Sequence, residues 1–198
     1  MTRRKFNILN SLYNLSIGRT PIFSDLQLNE AIDDNKAMDE LVAEGYIDQA
    51  FGNITQKGMQ ALKPYKVDGA VILAAGPSTR LIPLSLETPK ALLEARGERL
   101  IERQIKQLQE AGIHDITIVL GYKKEMFYYL ADKYQVKFIE NDDFIKKNNT
   151  HSILLAKEKL GNSYICSCDD YFVENPFNQY EYESFYAGIR VNSKTDEI

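Results

Sequence analysis

The chain has 198 residues, of which 44% are hydrophobic and 26% are charged, and its formal net charge is -4. This composition is that of a folded globular protein and excludes a disordered or collagen-like chain. The negative balance excludes a global positive field that would draw the chain onto nucleic acid or anionic lipid.

The first part of the chain, residues 1–66, carries helical periodicity interrupted by turn signals. The predicted elements are, in chain order, a helix over 5–15, a turn at 18–21, a helix over 29–44 stopped by Gly45, a hairpin over 46–55 and a helix over 56–62. This order is that of a small winged helix-turn-helix domain. The stretch LVAEGYIDQAFGNITQKGMQAL resembles the last part of many such domains.

Two roles are open for this domain: DNA binding, or packing and dimerisation. DNA binding would use the second helix of the motif, NEAIDDNKAMDEL, in which Lys36 is the only basic residue. The acidic residues of that helix are Glu30, Asp33, Asp34, Asp39 and Glu40. Because contacts to phosphate dominate DNA affinity, this helix disfavours DNA binding. We therefore expect a packing or dimerisation module, and a homodimer through the winged helix is one form it can take.

The second part, residues 67–198, alternates apolar strands with amphipathic helices. Predicted strands cover 68–73, 116–120, 136–139 and 164–168, and predicted helices cover 100–111, 124–134 and 152–160. This alternation predicts an α/β fold, with a Rossmann-like, mostly parallel sheet and helices on both faces. Ligands are then expected at the carboxyl ends of the strands.

The hydropathy of the chain and its cysteine and histidine residues limit where the protein can act and which chemistry it can use. No apolar run approaches the roughly 18 residues of a membrane helix, and the N-terminus lacks the features of a signal peptide, so a cytoplasmic protein without membrane contact is the default. Cys166 and Cys168 lie too close in sequence for an ordinary disulfide and are interpreted as small core residues. His114 and His151 have no third group of a catalytic triad nearby and are interpreted as solvated or packed residues.

The first predicted strand of the second part runs directly into the small residues Ala74, Ala75 and Gly76. Because no bulky side chain intervenes, backbone N–H groups there can approach an anion closely. Arg80 and Lys90 add two positive charges near the same loop. The loop matches neither the P-loop nor the Rossmann glycine pattern, so it predicts a phosphate cradle of another kind.

The stretch LAAGPSTRLIPLSLETPKALL resembles the signature of nucleotidyltransferases that join an NTP to a phosphate-bearing acceptor. Among these, the chain is similar to the lic-type bacterial choline-phosphate cytidylyltransferases. The similarity extends through LIERQIKQLQEAGIHDITIVLGYKKEMFYYLADKY and NNTHSILLAKEKLGNSYICSCDDYF, and a winged helix in front of the domain also occurs in this family. The resemblance implies transfer of a cytidylyl group from CTP to phosphocholine, with Mg²⁺ as cofactor, giving CDP-choline and pyrophosphate.

The resemblance also implies roles for individual residues. Arg80 would hold the β and γ phosphates and the departing pyrophosphate, and Lys90 would neutralise the α-phosphate under attack. Asp169 would coordinate Mg²⁺. Ser78 stands where the wider family has its second glycine. The residues that would line the nucleotide are Leu73, Ala74, Ala75 and Gly76, with Asn149 and Ser152 nearer the base.

The residue chemistry fits this reaction. A phosphate monoester is already anionic, so its attack on an NTP needs positioning and charge neutralisation rather than a general base. Tyr171 is the candidate aromatic contact for a quaternary ammonium, and Asp142, Asp143 and Asp170 are interpreted as loop residues. Members of the lic type continue past the position of Ile198, so we expect nucleotide binding with weak or absent turnover from this chain.

Two alternatives remain open. A sugar-1-phosphate nucleotidyltransferase would use the same loop, so the loop cannot separate the two acceptors. A regulator could instead sense a nucleotide with the α/β domain and contact DNA or a partner with the winged helix.

Overall fold

The computed structural model describes residues 1–19 and 31–188. Its helices are α1 (Arg3–Ser16), α2 (Ala31–Ala43), α3 (Gln56–Leu62), α4 (Leu84–Glu87), α5 (Leu100–Glu110), α6 (Tyr129–Tyr134) and α7 (Asn149–Leu155). Its strands are β1 (Gly69–Ala74), β2 (Glu94–Ala95), β3 (Glu98–Arg99), β4 (Ile116–Leu120), β5 (Lys137–Glu140) and β6 (Ser163–Ser167). Short 3-10 turns cover Lys63–Tyr65, Thr79–Leu81, Lys90–Leu92, Lys124–Phe127 and Lys157–Lys159.

The main sheet has the strand order β5-β4-β1-β6, and every pair of neighbours in it is parallel. A separate antiparallel pair joins β2 to β3. Gly69 opens β1 where a Cβ atom would lie 2.6 Å from the backbone oxygen of Asp115, so a side chain there would push β1 away from the chain entering β4. The predicted mostly parallel sheet is confirmed.

Helices cover both faces of this sheet. On β1, Ala70 and Ile72 belong to a core cluster that includes residues of α5, such as Ile105. Val71 lies between them in sequence and belongs to a second cluster, which contains Ala156 next to the end of α7. Because alternate residues of a strand point to opposite faces, α5 and α7 pack on opposite sides of β1.

Helix α5 is positioned by one apolar stripe. Ile101, Ile105 and Leu108 are fully buried at helical spacing. The helix ends before Gly112, whose φ of 80° is the left-handed conformation in which glycine commonly follows a helix. The N–H group of Ile113 then donates to the carbonyl of Leu108 at 3.0 Å, which turns the chain toward β4.

The first three helices form a smaller core of their own. Phe6 and Leu9 of α1 are buried with Leu41 of α2 and Leu62 of α3. Between α2 and α3, an antiparallel bridge joins Ile47 to Ile54, where the sequence predicts a hairpin.

The end of the described chain completes this smaller core, which the sequence does not predict. Tyr180 is 8% exposed and packs edge-on against the ring of Tyr13 at 5.0 Å between centroids. It also bridges Lys66, and the N–H group of Glu181 donates to the carbonyl of Tyr65 at 2.8 Å. The predicted division at residue 66 stays a prediction, and contacts cross it.

Several predicted helices differ in their bounds. The helix predicted over 124–134 is a 3-10 turn, Lys124–Phe127, followed by α6, and Lys123 before the turn takes a left-handed φ of 50°. The helix predicted over 152–160 starts earlier, at Asn149, where the Asn148 side chain caps it by accepting a hydrogen bond from the N–H of Thr150. It also ends earlier, at Leu155, and a 3-10 turn, Lys157–Lys159, follows. In the helix predicted over 29–44, residues 29 and 30 lie outside the described residues, as do Thr20 and Pro21 of the predicted turn.

Cysteine and histidine positions agree with their interpretation. Both cysteines are free thiols, and Cys166 is 7% exposed within the main core. Burial raises the pKa of the Cys166 and Cys168 thiols to about 12. His114 is exposed, and the His151 Nε2 atom lies 3.9 Å from Asp143 Oδ2. Within 1–19 and 31–188, no helix has the length and apolar character needed to cross a membrane.

Candidate active site

The loop after β1 leaves backbone open to a ligand. Ala74 and Ala75 are buried, whereas Gly76 is exposed and a Cβ atom there would meet nothing within 4 Å. Ser78 has a φ of 51°, the left-handed region that favours glycine. Ser78 therefore keeps a glycine-type backbone at the position where the resembling family has glycine.

The inner side of this loop is held by the chain that follows β4. The N–H group of Tyr122 donates to the carbonyl of Ala75 at 3.0 Å. At Gly121 a Cβ atom would lie 2.7 Å from that carbonyl oxygen and 2.9 Å from the Cβ of Phe144. Glycine at this position lets three segments meet behind the loop.

Two predicted site residues meet at the carboxyl edge of the sheet. Lys90 begins a 3-10 turn anchored by the buried residues Ala91 and Leu92, and Asp169 lies two residues beyond the end of β6. The ammonium group of Lys90 donates a hydrogen bond to Asp169 Oδ2. Ser167 Oγ donates to the other carboxylate oxygen, Oδ1, at 2.6 Å. Both oxygens of Asp169 are thereby oriented.

The two neighbouring carboxyls at this edge have opposite pKa shifts. Burial opposes ionisation of Asp169, but hydrogen bonds from Lys90 and Ser167 outweigh it and hold the pKa below its usual value. Burial and the charge of Asp169 raise the pKa of Asp170. Of the two carboxyls, Asp169 therefore ionises more readily.

Arg80 lies on the same loop in the 3-10 turn Thr79–Leu81. Its side chain is exposed and makes no ion pair or hydrogen bond with any residue in the described part of the chain. Its charge is therefore available to an anion that reaches the loop.

The profile of the MobA-like NTP transferase domain family matches residues 70–190, a span that includes the loop, Lys90 and Asp169. The chain belongs to this family of MobA-like NTP transferases.

Two curated members related to the chain are cytidylyltransferases. The choline-phosphate cytidylyltransferase of Streptococcus pneumoniae is 44% identical over 128 residues, which are 65% of this chain and 56% of that protein. The 2-aminoethylphosphonate cytidylyltransferase of Lancefieldella rimae is 43% identical over 103 residues, 50% of this chain and 42% of that protein. The chain thus spans about half the length of the curated relatives it matches.

The fold of a MobA-like NTP transferase is also shared with a solved structure. The CTP:phosphocholine cytidylyltransferase from Streptococcus pneumoniae superposes with a TM-score of 0.56 at 48% sequence identity. The superposition covers 58% of this chain and 50% of that one. The predicted α/β nucleotidyltransferase fold is confirmed.

The predicted base contacts lie at the start of α7. Asn149 is exposed, whereas Ser152 is 3% exposed and its Oγ accepts a hydrogen bond from Asn141 Nδ2 at 3.0 Å. Asn141 follows β5 and is 1% exposed, and its N–H group donates to the carbonyl of Leu120 at 2.7 Å. Contact of Asn149 and Ser152 with a nucleotide stays a prediction. Asn141 and Ser167 are polar partners that were not predicted, although Asn141 lies two residues after the strand predicted over 136–139 and Ser167 lies near the end of the strand predicted over 164–168.

The donor set around Asp169 fits a magnesium ion carried with a nucleotide. No group of three or more His, Cys, Asp or Glu side chains that could hold a metal occurs among residues 1–19 and 31–188. Mg²⁺ commonly binds through one or two carboxylates and completes its shell with substrate phosphates and water. Asp169, with Asp170 beside it, meets that requirement. The magnesium site stays a prediction.

The aromatic contact predicted for a quaternary ammonium is already engaged. The Arg103 guanidinium lies over the Tyr171 ring, 4.7 Å from its centroid. That face of Tyr171 is therefore covered by a cation of the protein itself.

Proposed function

We propose that the chain transfers a cytidylyl group from CTP to phosphocholine and forms CDP-choline and pyrophosphate. The observation that carries the proposal is the 44% identity to a choline-phosphate cytidylyltransferase over 128 residues. The pairing of Lys90 with Asp169 next to an open backbone loop supports the same chemistry.

In the proposed reaction, a phosphate oxygen of phosphocholine forms a bond to the α-phosphorus of CTP. The bond from that phosphorus to the bridging oxygen of the β-phosphate breaks, and pyrophosphate leaves. Lys90 neutralises charge that develops on the α-phosphate, and Arg80 holds the departing pyrophosphate. The backbone from Leu73 to Gly76 binds the nucleotide.

Mg²⁺, held by Asp169 and the phosphates, would supply further charge neutralisation for the pyrophosphate. The carboxylate of Asp169 accepts a hydrogen bond from the ammonium of Lys90. An ammonium group has three N–H donors, so Lys90 can contact the α-phosphate while it stays next to Asp169.

A second acceptor is favoured by a specific observation. The 2-aminoethylphosphonate cytidylyltransferase of Lancefieldella rimae is 43% identical over 103 residues, almost the same as the choline-phosphate relative. Both acceptors carry a phosphorus oxyanion and a cationic amine. A sugar 1-phosphate, which carries no cation, is the third acceptor to compare.

The test separates nucleotide binding from turnover. Calorimetry with Mg²⁺ and each of CTP, UTP, GTP and ATP measures binding, and we expect CTP to bind best. Pyrophosphate release is then measured with CTP and each of phosphocholine, 2-aminoethylphosphonate and glucose 1-phosphate. Turnover from this chain is expected to be weak or absent, and any release should be greatest with phosphocholine. Absence of both CTP binding and pyrophosphate release would overturn the proposal. CTP binding with little or no release would agree with the expectation of weak or absent turnover.

We also propose that residues 1–66 form a cytoplasmic winged-helix module used for packing or dimerisation. The order of α1, α2, the Ile47–Ile54 bridge and α3 supports it. DNA binding remains disfavoured because Arg3 and Lys5 of α1 pair with Glu183 and with Glu40 and Glu44. Analytical ultracentrifugation should show a dimer, and a gel shift at low salt should show no DNA complex.

A further inference from the structure

The turn that carries Asp169 lies beyond the sheet. The register between β1 and β6 ends where Leu73 faces Ser167, so the residues that follow have no strand partner in β1. Backbone carbonyl groups outside a sheet need other hydrogen-bond donors. Side chains of another element can supply them and so fix the path of the chain around Asp169.

Helix α5 supplies these donors from three polar side chains. Gln104 Nε2 donates to the carbonyl of Ser167 at 3.1 Å, on the near side of the turn. On the far side, the carbonyl of Phe172 accepts from Arg103 Nε at 2.7 Å and from Gln107 Nε2 at 3.0 Å. Residues on both sides of Asp169 are thereby tied to one rigid helix.

The side chains of Gln104 and Gln107 are buried at a cost in folding free energy. Gln104 is 1% exposed and Gln107 is 5% exposed. The Oε1 atoms of both side chains have no hydrogen-bond partner among the described residues. A buried polar atom without a partner destabilises the fold. The helix keeps two such side chains where their amide donors meet the turn.

Gln104 is linked to the Asp169 carboxylate through a single residue. It holds the carbonyl of Ser167, and the hydroxyl of the same Ser167 donates to Asp169 Oδ1 at 2.6 Å. We propose that Gln104 is a positioning residue that orients the Asp169 carboxylate for a divalent cation. The proposal rests on the proposed function for the cation at Asp169, and it assigns a role to an α5 residue outside the signature loop.

The test compares two glutamines of α5. Gln104→Met removes the amide donor and keeps the length of the side chain. Gln109→Met is the matched control, because Gln109 Nε2 donates to the carbonyl of Tyr134 at 2.8 Å and has no link to the turn. Affinity for Mn²⁺ alone is measured by electron paramagnetic resonance, with Asp169→Asn defining the background. CTP affinity is measured with Mg²⁺ and with a chelator.

We expect Gln104→Met to weaken Mn²⁺ binding by about tenfold, the lower range for the loss of a partner that orients a metal ligand. Metal-free CTP affinity should stay within about twofold, and Gln109→Met should bind Mn²⁺ as the original chain does. A purely structural role for Gln104 would lower CTP affinity equally with and without metal, which would overturn the proposal. Unchanged Mn²⁺ affinity in Gln104→Met, or a chain that binds Mn²⁺ no better than Asp169→Asn, would also overturn it.

Should Gln104→Met fail to fold, Ser167→Ala provides the second variant. It removes the hydroxyl that links the turn to Asp169 and should cause a similar loss of Mn²⁺ affinity, whereas an unchanged affinity would overturn the proposal. The Mn²⁺ measurement needs neither CTP nor phosphocholine. Failure of the cytidylyl transfer reaction would therefore be seen separately, in pyrophosphate release.

Discussion

The ammonium of Lys90 and the carboxylate of Asp169 form an ion pair across the carboxyl edge of the sheet, although 79 residues separate them. Lys90 follows the loop after β1, and Asp169 follows β6, the neighbouring strand. Parallel strands end at the same edge, so residues far apart in sequence meet there. The fold thereby places a cation and an anion side by side at the edge where ligands of such sheets bind.

Under conditions in which the original chain releases pyrophosphate, Lys90→Met should lower that release by about 100-fold or more, the usual loss when one preorganised donor to a developing charge is removed. The pKa of Asp169 should rise at the same time, because a hydrogen-bonded cation that lowers it is lost. Release assays and NMR titration of the Asp169 carboxyl measure the two effects. Lys157→Met, at an exposed lysine, is the control. A Lys90→Met protein with unchanged release would contradict the assigned role.

Gly121→Ala should destabilise the protein by about 1 to 3 kcal/mol, the usual effect of inserting atoms into a packed region. The new methyl would lie 2.7 Å from the carbonyl of Ala75 and would displace the loop after β1. CTP affinity should therefore fall as well. Denaturant unfolding and calorimetry provide the measurements. Gly161→Ala is the control, because the new methyl there would lie 3.8 Å from the nearest atom. Equal losses of stability in the two variants would disprove the steric argument.

Glu102 should make the free energy of unfolding fall more steeply as the pH is lowered. Burial would raise its pKa, but hydrogen bonds from Lys133, Tyr134 and Tyr129 outweigh it and hold the pKa at about 2. A lowered folded pKa stabilises the protein above the unfolded value of 4.5, and this stability is lost as the pH falls toward 2. Glu102→Gln should therefore reduce stability at pH 7 by roughly 2 to 3 kcal/mol and flatten the acid branch.

Urea unfolding of the Glu102→Gln protein between pH 7 and pH 2 tests this expectation. Glu158→Gln is the control, because the side chain of Glu158 is 85% exposed. If stability of the Glu102→Gln protein falls with decreasing pH as steeply as that of the original chain, Glu102 does not have the predicted role.

Tyr180→Ala should destabilise the core formed by α1, α2 and α3, since Tyr180 is 8% exposed there. Removing a buried aromatic ring costs about 3 to 5 kcal/mol. Because the ring belongs to the segment that follows the α/β sheet, we expect unfolding of both parts to shift together. Calorimetric melting measures this, with Tyr186→Ala as the control at a ring that is 98% exposed. A shift confined to one of two separate transitions would show that the parts are independent.

Elements with a strong local pattern were predicted from the sequence. The apolar run of β1 and the stripe of α5 each bury one face, and their periodicity appears in consecutive residues. The loop from Ala74 to Gly76 was predicted for the same reason, because its small residues adjoin the strand. The predicted starts of α6 and α7 were wrong, because a 3-10 turn precedes α6 and a side-chain cap at Asn148 begins α7.

The amino-acid sequence by itself determined the α/β class, the open loop after β1 and the residue types for phosphate chemistry, because each depends on short-range spacing. Only the tertiary structure decided that Lys90 pairs with Asp169, that Gln104 holds the turn beside it, and that Tyr180 enters the first core. These contacts join residues far apart in the chain. Their geometry depends on how strands and helices pack, which leaves no periodic signal in the sequence.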